Sequence, residues 1–143
     1  MNITIITGKK GSGKSTYLRE LIKKDKTYDG IITICKDRDS KKYLFSLLKK
    51  NIELSCCHYD KKMIFEYENF LKVEKYLKKI DSENIIIDEI GWLELEEKGL
   101  YNSLKYLLSK KSIKELVISM RFDSYLELIE KFEIKNHKII TIT

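Results

Sequence analysis

The chain has 143 residues, of which 43% are hydrophobic and 35% charged, and its 28 basic and 22 acidic residues give a net charge of +6. This composition is typical of a folded globular protein and excludes an intrinsically disordered chain. The length favours one domain over residues 1–143, and the apolar runs are too short for a membrane-spanning helix. No segment has the pattern of a signal peptide, so we expect a cytoplasmic protein.

The basic residues are mostly lysines scattered along the chain, and arginine occurs only at Arg19, Arg38 and Arg121. Nucleic-acid-binding proteins more often cluster their basic residues on one face or along one helix. The scatter therefore favours a solvated lysine-rich exterior over a nucleic-acid surface. The three cysteines are an odd number, which argues against a disulfide framework and is consistent with a cytoplasmic setting.

The first third of the chain has a clear order of elements. Residues 2–7 (NITIIT) are β-branched and strand-like, the glycine-rich segment GKKGSGKS follows, and residues 16–24 have the apolar spacing of a helix. Residues 30–35 (GIITIC) predict a second strand. The next part, residues 36–67, is ambiguous because KKYLFSLLKK fits both a short helix and a strand, whereas IELSCCHY and MIFEY are strand-like.

The remaining chain alternates between helical and strand patterns. Helical spacing over residues 68–80 precedes NIIID, residues 84–88, a continuous apolar run typical of a central strand. A further helix is predicted from about residue 97 or later, a strand over 115–120, and a helix over 123–132, where Ser124 and Glu127 have the spacing of a capping box. A last strand is predicted over 137–143.

This alternation predicts an α/β fold, with a mostly parallel sheet, helices on both faces and a small antiparallel addition in residues 36–67.

The segment after the first strand matches the phosphate-binding loop pattern G-x-x-x-x-G-K-[ST] through Gly8, Gly13, Lys14 and Ser15. In such a loop the backbone N–H groups and the helix N-terminus surround a phosphate. Lys14 is expected to reach the β- and γ-phosphates, and the Ser15 hydroxyl to ligate Mg²⁺. The predicted nucleotide-binding residues are Gly8, Lys9, Lys10, Gly11, Ser12, Gly13, Lys14, Ser15 and Thr16.

Two adjacent acids end the apolar strand at Asp88 and Glu89. In proteins with this loop, an aspartate at the end of a second buried strand holds the metal ion. We therefore expect Asp88 to hold Mg²⁺ and Glu89 to orient or deprotonate a water that attacks the γ-phosphate. An adjacent glutamate favours a hydrolase over a kinase, since a kinase must keep water from the phosphoryl group.

GKKGSGKST together with IIIDEIGWLEL resembles the THEP1-type nucleoside-triphosphatases, whose acidic strand reads D-E-I-G-x-[ML]-E-L. The resemblance spans essentially the whole chain, although only these two motifs are highly specific. It implies a Mg²⁺-dependent enzyme with a RecA-like core that hydrolyses ATP, GTP and other triphosphates with low base selectivity. It also implies a monomer, and it favours strands in residues 36–67.

Three residues beyond these motifs have open roles. Arg121 follows a predicted strand end, where it could stabilise charge developing on the γ-phosphate or form a surface ion pair with Asp123. Trp92 could stack on a base or pack its loop onto the body of the protein. Glu94 could help to position water or could fix the loop.

The sequence thus predicts a nucleoside-triphosphatase with Lys14, Glu89 and Arg121 as catalytic residues and Ser15 and Asp88 as metal ligands. The alternatives are a small-molecule or nucleotide kinase on a similar core, and a regulatory nucleotide-binding module that acts with a nucleic-acid or protein partner. We expect nucleoside triphosphates as ligands and no membrane as a partner, and the sequence disfavours a nucleic-acid partner.

Overall fold

A computed structural model describes residues 1–143 and contains eight strands and five helices. The strands are β1 (Asn2–Gly8), β2 (Tyr28–Asp37), β3 (Lys42–Leu47), β4 (Ile52–Asp60), β5 (Lys62–Phe65), β6 (Asn84–Ile90), β7 (Glu115–Met120) and β8 (His137–Ile142). The helices are α1 (Lys14–Lys24), α2 (Tyr67–Lys78), α3 (Trp92–Leu95), α4 (Tyr101–Ser109) and α5 (Tyr125–Lys131). None of these helices has the length and apolar character needed to cross a membrane.

All eight strands form one sheet in the order β5-β4-β3-β2-β6-β7-β1-β8. Strands β2, β6, β7, β1 and β8 run parallel to one another. Strands β3, β4 and β5 extend the sheet from the other side of β2, each antiparallel to the strand before it. The predicted mostly parallel sheet with an antiparallel addition in residues 36–67 is therefore confirmed. The ambiguous segment KKYLFSLLKK contains strand β3.

Neighbouring residues on the central strands pack into two separate cores because successive side chains point to opposite faces of a sheet. Ile5 belongs to a large cluster that α2, α4 and α5 cover, whereas Ile6 belongs to a smaller cluster beneath α1. The helices thus lie on both faces, as predicted. This arrangement leaves the carboxyl ends of the five parallel strands along one edge of the sheet.

One local prediction was wrong. Ser124 stands at the N-cap position of α5, but its side chain makes no capping hydrogen bond, so the predicted capping box does not form. The helix expected from about residue 97 or later begins at Tyr101, and the short helix α3 precedes it. Glu97 and Gly99 have positive φ angles of 62° and 61°, which interrupts helical geometry between α3 and α4.

Candidate functional site

The glycine-rich loop connects β1 to α1 through a backbone that only glycine adopts easily. Gly11 and Gly13 have φ angles of 79° and 104°, in the region where an L side chain is strained. A Cβ atom on Gly8 would lie 2.6 Å from both the carbonyl oxygen of Ile142 and the Oγ atom of Ser12. The loop is therefore packed against the end of β8, and its curvature depends on these glycines.

The first turn of α1 is arranged to bind an anion. Its N-cap residue is Gly13, no side chain caps its N–H groups, and the turn contains no acidic residue. The free N–H groups and the helix dipole both favour a negative charge at this end. Lys14 is half-buried here, and Ser15 and Thr16 are exposed beside it. The predicted phosphate-binding residues thus lie together at one helix N-terminus.

Asp88 lies at the end of β6, where the pairing with β7 shifts register between Ile87 and Ile90. The aspartate is only 3% exposed, and its Oδ2 atom accepts a hydrogen bond of 2.9 Å from the Thr33 N–H group on β2. Burial, reinforced by the charge of Glu89, raises the pKa of Asp88 to about 6. The Thr33 N–H group, the Ser119 hydroxyl and Lys14 act in the opposite direction without cancelling this effect.

The oxygen groups near this carboxylate fit a magnesium ion. Asp88 forms no ion pair within 4.0 Å, and an unpaired buried carboxylate is costly unless a cation compensates its charge. The buried hydroxyl of Ser12 in the glycine-rich loop also has no hydrogen-bond partner. Carboxylate, hydroxyl and phosphate oxygens are the ligands that Mg²⁺ prefers. The site therefore has the chemical character that a magnesium–nucleotide complex requires.

Glu89 differs from its neighbour in both exposure and backbone. Its side chain is exposed, and its φ angle of 64° lies in the left-handed region, which is uncommon for residues other than glycine and occurs often at functional sites. Burial raises the pKa of Tyr43, and the charge of Glu89 raises it further while Arg121 lowers it. The Tyr43 hydroxyl on β3 is thus within electrostatic reach of both predicted catalytic residues.

Arg121 follows β7, the strand that lies between β1 and β6. Its N–H group donates to the Ile90 carbonyl at 2.9 Å, and its guanidinium lies 3.4 Å from Asp123 Oδ2 with half of the side chain exposed. The same Asp123 oxygen accepts a hydrogen bond of 3.1 Å from the Trp92 indole. The ion pair considered from the sequence therefore forms, at the same edge of the sheet as the glycine-rich loop.

Gly91 and Glu94 explain how the loop after Glu89 keeps its shape. A Cβ atom on Gly91 would lie 2.5 Å from the Cδ atom of Arg121, so the arginine stem passes directly over this glycine. The buried Glu94 carboxylate accepts hydrogen bonds from the Gly91 N–H group at 2.7 Å and from the Leu100 N–H group at 2.8 Å. Of the two roles open for Glu94, the contacts are those of a residue that fixes the loop.

Three neighbours of the site were not found from the sequence. Thr33, Ser119 and Tyr43 come from strands β2, β7 and β3, and each reaches the site only through strand pairing across the sheet. Nothing in their local sequence distinguishes them from other strand residues. Strand β7, which lies between β6 and β1, was also not expected to separate the acids from the glycine-rich loop.

The parallel sheet, the glycine loop between β1 and α1 and the acids at the end of β6 define a P-loop nucleotide-binding fold. Residues 1–126 match the AAA domain family, and the chain belongs to this family. No curated protein sequence gives a significant match.

Two solved structures share the fold. The crystal structure of THEP1 from the hyperthermophile Aquifex aeolicus has a TM-score of 0.74 at 18% identity, with 99% of this chain and 90% of that chain covered. The solution structure of a human cancer-related nucleoside triphosphatase has a TM-score of 0.76 at 16% identity, with 100% of this chain and 89% of that chain covered. The resemblance to THEP1-type proteins is thus confirmed for the fold.

Proposed function

We propose that this protein is a Mg²⁺-dependent nucleoside-triphosphatase that hydrolyses ATP, GTP and other nucleoside triphosphates to the diphosphate and phosphate. The observation that carries the proposal is the shared edge of the sheet, where the uncapped N-terminus of α1 and the buried, unpaired Asp88 occur together. Two proteins of the same fold are named as THEP1 and as a nucleoside triphosphatase, which supports this choice.

Each predicted residue has a defined task in this proposal. The loop amides and Lys14 bind the β- and γ-phosphates, and Ser15 and Asp88 hold the magnesium ion. The ion, when bound, neutralises charge on the phosphate oxygens. Glu89 is exposed beside Asp88, where its carboxylate can accept a proton from the attacking water. Arg121 contributes positive charge toward the oxygens on which negative charge develops.

Low base selectivity is expected because these side chains all address the phosphates and the metal. Every nucleoside triphosphate presents the same phosphates, so none of these contacts distinguishes one base from another. We further propose that the protein is cytoplasmic. We also propose that it acts as a monomer, since Arg121 supplies in cis the positive charge that some such enzymes receive from a partner.

The test measures phosphate release from ATP, GTP, CTP and UTP with and without Mg²⁺ for the wild type, Glu89→Gln and the control Glu96→Gln. Glu96 is an exposed acid seven positions further along the chain. We expect magnesium-dependent release from several triphosphates, lost in Glu89→Gln and retained in Glu96→Gln. Transfer of phosphate to an acceptor faster than release to water would instead support the kinase alternative.

A further inference from the structure

A second feature of the fold lies at the amino ends of the parallel strands, opposite the edge that carries the glycine-rich loop. A groove of about 230 Å³ runs between α2 and the β3–β4 connection, and we call it the lysine groove. Its charged lining consists entirely of lysines, and Leu47, Ile52 and Leu54 supply most of its apolar lining. The lysines are Lys50, Lys72, Lys75 and Lys79.

The positive charges of the lysine groove are not neutralised within the protein. None of its lysines has a carboxylate oxygen within 4.0 Å. The Lys50 ammonium instead lies 5.6 Å from the centre of the Tyr76 ring, which also lines the groove. All of these lysines are exposed. Their charges are therefore available to an external anion.

An adjoining pocket of about 460 Å³ extends this positive surface by adding Lys49 and sharing Lys50 and Lys79 with the groove. It also contains two acids. The Asp29 carboxylate is buried and accepts hydrogen bonds from the Tyr76 hydroxyl and the Gly30 N–H group. Asp81 is exposed and lines this pocket but not the lysine groove.

The lysines of α2 are spaced along one side of the helix. Lys72, Lys75 and the C-cap residue Lys79 follow the i, i+3, i+7 spacing that places residues on one helix face. At 1.5 Å per residue they span about 10 Å of helix, and Lys50 comes from the β3–β4 connection. The result is a channel with cationic sides and an apolar lining.

We propose that the lysine groove binds single-stranded nucleic acid. Such ligands combine a phosphate backbone, which follows a positive groove, with bases that pack on apolar or aromatic surface. A protein partner fits this surface less well because lysine is depleted in protein–protein interfaces. The scatter of lysines along the sequence favours a solvated exterior, whereas folding brings Lys50 into one groove with the three lysines that α2 carries on one face.

Binding at the lysine groove is independent of the proposed hydrolysis, because the groove and the glycine-rich loop lie at opposite ends of the parallel strands. The test therefore omits nucleotide. It measures fluorescence anisotropy of labelled oligo(U) and oligo(dT) of about 12 nucleotides with the full chain at about 50 mM salt. The groove variant is Lys72→Gln/Lys75→Gln/Lys79→Gln.

The control variant is Lys111→Gln/Lys135→Gln/Lys138→Gln. These lysines are also exposed and make no ion pair, and each variant loses three positive charges. We expect the groove variant to bind at least about tenfold more weakly, and the magnitude of its log–log salt slope to fall by about 2. The control should change affinity by less than about threefold. Tighter binding of oligo(U) than of oligo(dT) would identify RNA as the ligand.

Equal losses in the two variants would show that only net charge matters and would overturn the proposal. The same conclusion would follow if neither oligonucleotide bound. Tighter binding of poly-glutamate than of either oligonucleotide would assign the groove to an acidic protein instead.

Discussion

The buried carboxylate of Asp88 destabilises the folded protein at neutral pH. A carboxyl group whose pKa rises from 3.8 to about 6 costs the folded protein about 3 kcal/mol at neutral pH. Because the folded-state pKa is the higher one, this cost is absent below about pH 4, where Asp88 is protonated in both states. The cost develops as the pH rises to about 6. A bound cation would compensate this cost.

We therefore predict that Asp88→Asn stabilises the nucleotide-free protein at about pH 7.5 by up to about 3 kcal/mol and has little effect at about pH 4. The same variant should lose magnesium-dependent hydrolysis. Urea unfolding at both pH values measures the first effect, with the exposed Asp81→Asn as the control. An equal change of stability at the two pH values would contradict the assigned origin of the pKa shift.

Glu89 carries a backbone cost of its own. Its left-handed φ of 64° disfavours most side chains by about 1 kcal/mol, and asparagine tolerates this region better than glutamine. We predict that Glu89→Asn is more stable than Glu89→Gln by about 0.5–1 kcal/mol, while both lose hydrolysis. The comparison isolates the backbone because both changes remove the same charge. Equal unfolding free energies for the two variants would argue against strain at this position.

At the scale of elements, the connection from β6 to α4 acts as a fixed frame for Arg121. Gly91 lies beneath the arginine stem, Glu94 holds both ends of the connection, and Asp123 accepts from Arg121 and Trp92. A methyl group on Gly91 would meet the Arg121 Cδ atom at 2.5 Å and displace it. The position of the Arg121 side chain thus explains why a glycine is needed at this place in the D-E-I-G motif.

We predict that Gly91→Ala slows hydrolysis by about tenfold or more while nucleotide affinity changes little, because it moves the guanidinium. Arg121→Ala should have a similar effect, and the double variant should be no slower than Arg121→Ala alone, as expected for residues that act through one contact. Single-turnover rates of the three variants give the measurement. Additive losses would mean that Gly91 acts independently of Arg121.

The elements also show why sequence predicts some features and not others. The strands around residues 2–8 and 84–90 are apolar runs beside motifs of fixed spacing, so local pattern was sufficient to predict them. The Ser124 cap failed because a matching spacing does not ensure that the side chain adopts the bonding orientation. Thr33 and Tyr43 reach the site from strands far away in sequence, and their contacts depend on pairing that no local pattern encodes.

At the scale of the whole molecule, strand order determines which groups meet. Strand β7 lies between β1 and β6, so Arg121 leaves the sheet between the glycine-rich loop and the two acids. The antiparallel strands extend the sheet beyond β2 and create the wall against which α2 forms the lysine groove. One sheet therefore carries two separate candidate binding surfaces, at the opposite ends of its parallel strands.

Because the proposed contacts address phosphates rather than bases, ATP, GTP, CTP and UTP with Mg²⁺ should stabilise the protein to similar extents. At a ligand concentration one hundred times Kd the gain is about 2.7 kcal/mol. Thermal unfolding with each nucleotide measures it, and Lys14→Ala should abolish the gain at the same concentrations. Stabilisation by a single nucleotide would contradict low base selectivity.

Glu89 is proposed to act in the chemical step rather than in nucleotide binding, so the most direct measurement separates the two. Stoichiometric Mg·ATP is bound to wild type and Glu89→Gln, and phosphate release is followed in a single turnover alongside Kd. We predict that the substitution changes Kd by less than about threefold and slows release by about 100-fold or more, in line with the loss of a general base. An unchanged release rate in Glu89→Gln would contradict the account.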